Sequence, residues 1–184
     1  MVRTTWKAIL IVVLLTLLPV AVFGDEKNYI EIGVGAGTDL QGIAAKELLL
    51  APAYNMPISA NGSLLARIEG DFELIDYAGK TNYSGKTVVV GGVAPFLRLL
   101  PFGWKINPFI EIGAGGNFTT DKTIGHQHID GPFLFSLMSS AGIEMMINNT
   151  PVSLSYRFRH LSNGDIYKSN EGVNSQYLML SIGL

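Results

Sequence analysis

The chain has 184 residues, of which 13 are basic and 15 acidic, so its formal charge is −2, and it contains no cysteine. This length suits a single domain. The absence of cysteine excludes a disulfide framework and cysteine-bound metals. The basic residues form no cluster along the sequence, which argues against a nucleic-acid partner.

Residues 1–24 have the pattern of a secretory signal peptide. Arg3 and Lys7 precede a short apolar run from Ala8 to Leu18, and small residues lead to a cleavage point that we place after Gly24. The run is shorter than the ~20 residues of a membrane-spanning helix. Cleavage would remove two of the 13 basic residues and no acidic one, leaving residues 25–184 as the exported domain.

The exported part is predicted to form eight β-strands, because apolar and polar side chains alternate along short segments. The predicted strands are Tyr29–Ala36, Glu47–Tyr54, Leu64–Leu74, Lys86–Leu99, Pro108–Phe118, Phe133–Ile147, Val152–Ser162 and Ser175–Leu184. The fourth is apolar on both faces, so its faces are left unassigned. The strands are expected to be long enough to cross a bilayer, which takes ~9–11 residues, although the second is marginal.

Most of the predicted strands have one apolar face and one face that carries charges or glycine. The charged faces together hold Glu31, Arg67, Glu69, Asp71, Glu111, Glu144, Arg157 and Arg159. Membrane barrels combine a lipid-facing apolar surface with a polar interior. An eight-stranded barrel has room for side chains but not for a channel. The sequence therefore predicts an eight-stranded antiparallel up-and-down transmembrane β-barrel whose interior is a network of paired charges.

The seventh predicted strand ends in a pair of residues that could carry chemistry. His160 and Ser162 lie two residues apart, on the same face as Leu154 and Tyr156. The longer connections precede strands two, four, six and eight. Since outer-membrane barrels have long external loops, this pair is expected at the external rim, facing lipid. A histidine beside a serine is the minimum of a base-activated nucleophile.

The residues around this pair resemble a known family. The run from Arg159 to Gly164, R-H-L-S-N-G, followed by Asn170 and residues 172–175, resembles the lipid A 3-O-deacylases of the outer membrane, which are acyloxyacyl hydrolase-like enzymes. Residues 107–115 resemble the fifth strand of that family. The resemblance implies a serine esterase that removes the 3-position acyl chain of lipid A without a metal or cofactor. Ser162 would be the nucleophile and His160 its general base.

The same resemblance implies the rest of the catalytic site. Family members carry a glutamate fourteen residues after the histidine, where this chain has Asn174. Asparagine can hold an imidazole tautomer but cannot stabilise an imidazolium by charge, so Glu171 and Asp165 are kept as alternatives. An oxyanion and substrate site is implied at Asn163, at the Gly164 backbone N–H and at the Asn170 side chain.

Two other interpretations remain open. A non-catalytic structural or adhesive outer-membrane barrel would treat Asn174 as the mark of a lapsed site. A soluble lipocalin-type barrel would need apolar inward faces, which the third and seventh predicted strands lack. His126 and His128 are interpreted as loop residues and not as a metal site. The expected partners are lipid A or lipopolysaccharide and outer-membrane lipid, with no nucleic acid, and a homodimer is left open.

Overall fold

The computed structural model describes residues 28–41, 45–77 and 87–184, which contain ten β-strands. The strands are β1 (Tyr29–Asp39), β2 (Ala45–Pro57), β3 (Leu64–Tyr77), β4 (Thr87–Leu99), β5 (Ile106–Thr119), β6 (Thr123–Ile124), β7 (Gln127–His128), β8 (Phe133–Ile147), β9 (Thr150–Ser162) and β10 (Val173–Gly183). The proposed signal peptide and Lys86 lie outside the described residues. Within the described ranges no helix is long and apolar enough to cross a membrane.

Eight of the strands close into an antiparallel barrel in the order β1-β10-β9-β8-β5-β4-β3-β2. Each barrel strand pairs with its neighbours along the chain, and β1 pairs with β10 to close the sheet. The barrel strands have 11 to 15 residues, enough to cross a bilayer. The predicted eight-stranded up-and-down barrel is therefore confirmed. The β6–β7 hairpin, inside the connection between β5 and β8, was not predicted.

The two ends of the barrel differ in their connections. At one end β8 and β9 are joined by Asn148 and Asn149, which have φ values of 50° and 65°. Such a two-residue turn matches the twist of a hairpin, and asparagine tolerates its positive φ. The other end carries the connections of residues 120–132 and 163–172. In the predicted orientation, that end is external.

Buried ion pairs fill the middle of the barrel. Arg67 contacts Glu31 at 2.5 Å and Glu69 at 2.6 Å. Arg98 contacts three carboxylates, those of Glu31, Glu111 and Glu144, at 2.9 to 3.2 Å. The predicted network of paired charges is present, and Arg98, which belongs to the unassigned fourth strand, is at its centre. Closed pairing of this kind lets charged groups lie away from water.

Nearer the external end the barrel interior is apolar instead of charged. A buried cluster there combines barrel residues with residues of the connection between β5 and β8. Its members are Ala45, Ile75, Val88, Val90, Ile124, Ile129, Leu134, Leu161 and Val173. Ile124 and Ile129 thus fold inward over the mouth of the barrel. This cluster supports β9 and β10 from inside, at the level of the candidate site.

Candidate active site

The pairing of β9 with β10 brings the candidate catalytic residues together. His160 lies directly opposite Asn174 in this pairing, and Ser162 ends β9 two residues further on. All three are half-buried, whereas their strand neighbours Arg159 and Leu161 are buried inside. The outward face of β9 also exposes Leu154 and Tyr156. The candidate site therefore lies on the outer surface of the barrel, at its external end.

Asn174 holds the histidine ring. His160 Nδ1 donates to Asn174 Oδ1 at 2.8 Å, which makes Nε2 the unprotonated nitrogen of the neutral ring. The two carboxylates considered as alternatives are engaged elsewhere. Glu171 accepts a hydrogen bond from the backbone N–H of His128 at 2.6 Å, and Asp165 accepts one from Asn170 at 2.9 Å. Of the three residues considered, it is Asn174 that hydrogen-bonds His160.

Asn163 organises the loop that follows Ser162. Its side chain is fully buried, and Nδ2 donates to the carbonyls of Ile129 and Ser169 at 2.7 and 2.6 Å. Its Oδ1 accepts from the backbone N–H of Asp165 at 2.9 Å. Both ends of the amide are therefore hydrogen-bonded. The bond to Ile129 ties residues 163–172 to the connection between β5 and β8.

The other two residues of the implied oxyanion site lie in the same loop. Asn170 Oδ1 accepts from the backbone N–H of Asn163 at 2.9 Å, and one hydrogen of its Nδ2 goes to Asp165. The second hydrogen of that Nδ2 is left for another acceptor. Gly164 has a φ of 61°, a conformation that turns the chain sharply immediately after Ser162 and Asn163.

Gly172 is a site residue that the sequence argument did not single out. An ideal Cβ at this position would lie 2.9 Å from His160 Cε1 and 3.6 Å from Nε2. The backbone there also has a φ of 66°, which favours glycine. Gly172 thus packs against one edge of the imidazole ring while Asn174 holds Nδ1. In the sequence the residue belongs to the run 172–175 that carries the family resemblance, but it was given no role of its own.

Three aromatic rings form an apolar surface beside Ser162. Phe135 is the β8 residue directly opposite Ser162. Its ring packs edge-on against Phe133 at 5.1 Å, and Phe133 packs against Phe118 at 5.3 Å. Phe118 is 63% exposed and Phe135 44%. A serine hydroxyl is thus bordered by an exposed aromatic patch, which we call the phenylalanine surface.

Charged groups lie behind the site, on the inner face of the same strand. Arg159 contacts Glu73 at 2.8 Å and donates to Asn117 Oδ1 at 2.9 Å. Glu73 also accepts a hydrogen bond from Tyr177 of β10. These buried contacts fix β9 and β10 from inside, so the outward residues His160 and Asn174 stand on a rigid support.

The histidine pair in the connection between β5 and β8 has other contacts. His126 Nε2 lies 3.0 Å from Gln127 Nε2, and the His128 backbone pairs with Glu171. Among the described residues no group of three or more His, Asp or Glu side chains is arranged to hold a metal ion.

Comparisons with known proteins identify a family through a family model and show similar folds among solved structures. The family model described as lipid A 3-O-deacylase (PagL) matches residues 49–183. The crystal structure of the outer membrane enzyme PagL is similar with a TM-score of 0.65 at 21% identity, over 83% of this chain and 97% of that chain. Neisserial surface protein A is similar with a TM-score of 0.55 at 13% identity, over 85% of this chain and 94% of that chain. No curated protein sequence matches significantly.

Proposed function

Since this chain belongs to the lipid A 3-O-deacylase (PagL) family, we propose that it hydrolyses the 3-O-linked acyl ester of lipid A with Ser162 as the nucleophile. The observation that carries the proposal is the His160–Asn174 hydrogen bond of 2.8 Å, beside Ser162 on the outer surface. A histidine held at Nδ1 presents Nε2 as a base to a neighbouring hydroxyl. The proposed enzyme is thus a carboxylic ester hydrolase.

The chemistry follows from these groups. His160 Nε2 takes the Ser162 hydroxyl proton as the oxygen attacks the ester carbonyl, and the 3-hydroxyl of the sugar leaves with that proton. The acyl-enzyme is then hydrolysed by water, which His160 deprotonates in the same way. Asn174 keeps Nδ1–H pointed at its own oxygen throughout. It supplies orientation but no negative charge for the imidazolium.

Donors for the tetrahedral oxyanion come from the loop after Ser162. We assign this role to the Gly164 backbone N–H and to the free hydrogen of Asn170 Nδ2. Asn163 contributes by holding the loop, since its own amide groups are bonded to loop backbone. Preorganised donors of this kind commonly contribute ~3–4 kcal/mol to stabilising the transition state.

The phenylalanine surface gives the scissile acyl chain a place to lie. Phe135 is directly opposite Ser162, and the three rings continue onto β5. An acyl chain packed there would bring its ester to the serine while remaining in the apolar part of the leaflet. The protein is an outer-membrane barrel, and we place this face in the outer leaflet of a Gram-negative bacterium, after export through the signal peptide. Every residue that we assign to the site belongs to one chain, so the proposed mechanism does not require a homodimer.

One observation favours a second candidate function. Asn174 stands where family members carry glutamate, and the barrel of similar fold, Neisserial surface protein A, is named as a surface protein. A structural or adhesive outer-membrane barrel with a lapsed site is therefore the alternative.

Hydrolysis by the purified protein in detergent separates the two candidates. We expect release of a 3-hydroxy fatty acid from lipopolysaccharide, and its loss in Ser162→Ala. The matched control is Ser139→Ala, because Ser139 is an exposed serine on the outer face of the adjacent strand β8. Equal release by Ser162→Ala would reject the nucleophile, and no release by the unmutated protein would favour the structural barrel.

A further inference from the structure

The amide side chain of Gln41, just beyond the end of β1, bridges the two backbone positions that flank Val173 at the start of β10. Gln41 Nε2 donates to the carbonyl of Gly172 at 3.2 Å. Its Oε1 accepts from the backbone N–H of Asn174 at 3.1 Å. One side chain thus makes both a donor and an acceptor contact with β10, in the manner of a paired strand.

Both residues that Gln41 holds are in contact with His160. Asn174 binds Nδ1 of the ring at 2.8 Å. Gly172 lies against the adjoining edge of the ring, where an added Cβ would come within 2.9 Å of Cε1 and 3.6 Å of Nε2. A shift of the backbone at 172–174 would therefore move the hydrogen-bond acceptor and the packing surface of the imidazole together.

Gln41 is itself fixed in place by its neighbours. Its backbone N–H donates to Asp39 Oδ2 at 2.9 Å, and the N–H of Leu40 donates to the carbonyl of Asn174 at 2.8 Å. The last paired residues of the β1–β10 ladder are Asp39 and Ser175. The Gln41 side chain thus extends the ladder beyond its end, to the level of the candidate site.

We propose that Gln41 is a positioning residue for the deacylase site: it holds Gly172 and Asn174 so that His160 keeps the ring orientation set by these two residues. This inference rests on the proposed function for its kinetic consequence. Gln41 does not touch the substrate or the reacting atoms. It acts through the backbone of β10 from a position just after β1, the strand that pairs with β10 to close the barrel.

The kinetic test compares Gln41→Met with the unmutated protein in detergent, using lipopolysaccharide as substrate. Methionine keeps the length of the side chain and removes both hydrogen bonds. We expect kcat to fall roughly tenfold while KM stays within about twofold, because the loss concerns the alignment of the catalytic base. Gln127→Met, the same change in the β6–β7 hairpin, should leave both constants unchanged.

A second readout follows the histidine directly and does not need turnover. In protein labelled with ¹⁵N-histidine in detergent micelles, the Nδ1 proton of His160 should give a resonance that Asn174→Ala abolishes. Gln41→Met should weaken or shift this resonance, and Gln127→Met should not. An unchanged resonance together with unchanged kcat in folded Gln41→Met would overturn the proposal.

The two readouts separate this inference from the function on which it rests. If the unmutated protein releases no fatty acid while the His160 resonance still responds to Gln41→Met, the deacylase assignment fails and the positioning role stands. Should Gln41→Met not fold, Gln41→Glu serves instead. It keeps the acceptor for Asn174 and loses the donor to Gly172, so a shifted resonance supports the bridge and an unshifted one contradicts it.

Discussion

At the scale of single residues, Asn174 limits how effectively His160 can act as the proposed general base. Its amide oxygen accepts the Nδ1 hydrogen at 2.8 Å, which fixes the tautomer and the ring. It carries no charge to stabilise the imidazolium that would form in the proposed attack by Ser162. In the serine-protease triad, replacing the acidic member by an amide lowers kcat by ~10⁴ because the histidine takes the wrong tautomer. Here the amide oxygen faces Nδ1, so the tautomer is kept and only the negative charge is missing. The amide here therefore predicts a slow enzyme whose rate can be raised.

We predict that Asn174→Glu raises kcat by at least about tenfold, because a carboxylate would stabilise the imidazolium and still accept from Nδ1. The matched control is Gln176→Glu, the same amide-to-carboxylate change one outward position further along β10. It should leave kcat unaltered. Steady-state release of fatty acid from lipopolysaccharide measures both. A lower or equal kcat in folded Asn174→Glu would show that the missing negative charge at position 174 does not limit the rate.

Gly172 offers a second residue-scale prediction. Alanine at this position would place its Cβ 2.9 Å from His160 Cε1 and would also strain the backbone at a φ of 66°. We expect Gly172→Ala to lower kcat roughly tenfold or more through displacement of the ring.

Gly62→Ala separates the two effects of that change. Gly62 has a similar φ of 70° in the turn between β2 and β3, with nothing within 4 Å of an added Cβ. Both variants should therefore lose the same ~1–2 kcal/mol of stability from backbone strain. Only Gly172→Ala should lose activity. Equal activity in the two glycine variants would mean that the ring has room to move.

At the scale of the strands, the sequence predicted the architecture better than the interior. Alternation identified eight strands and placed His160 and Ser162 on the outer face, because a barrel strand alternates between lipid and interior. The two faces of β4 could not be assigned from this alternation. Val88 and Val90 are buried in the apolar external part of the interior, whereas Val93 and Leu97 face outward, so both parities are apolar.

Arg98 was missed for the same reason, although it joins three carboxylates in the centre of the barrel. We predict that Arg98→Met lowers the free energy of unfolding by ~3–5 kcal/mol, because it leaves buried carboxylates without their partner. Lys105→Met, in the exposed turn that follows β4, should change it by no more than ~0.5 kcal/mol. Urea unfolding of the refolded barrels measures both. Equal unfolding midpoints would contradict the network's structural role.

The contacts that complete the site could not be inferred from local pattern. Gln41 is 131 residues from Gly172 and 133 from Asn174 along the chain. Their meeting depends on the closure of β1 onto β10. Likewise, Asn163 belongs to the run that resembles the family's catalytic motif, but its buried amide donates to the carbonyl of Ile129. Ile129 lies in the connection between β5 and β8, where no alternation of apolar and polar residues predicts that the chain folds inward. Motif and alternation identified the candidate catalytic pair, but the contacts that support it became visible only in the tertiary structure.

At the scale of the whole molecule, the barrel by itself does not specify an activity. Neisserial surface protein A is similar in fold at 13% identity, and one fold commonly serves unrelated functions. The feature of this chain that points to an activity is a hydrogen-bonded histidine beside a serine, bordered by phenylalanines, on the outer surface near the end that is external in the predicted orientation. That position gives a soluble substrate poor access and a lipid of the outer leaflet direct access.

The most direct test of this account is mass spectrometry of lipid A from Gram-negative cells that express the chain. Cells carrying the unmutated chain or Ser139→Ala should yield lipid A that has lost one 3-hydroxyacyl group. Cells carrying Ser162→Ala should yield lipid A of unaltered mass. Identical spectra from all three, with each protein folded in the outer membrane, would contradict the deacylase assignment.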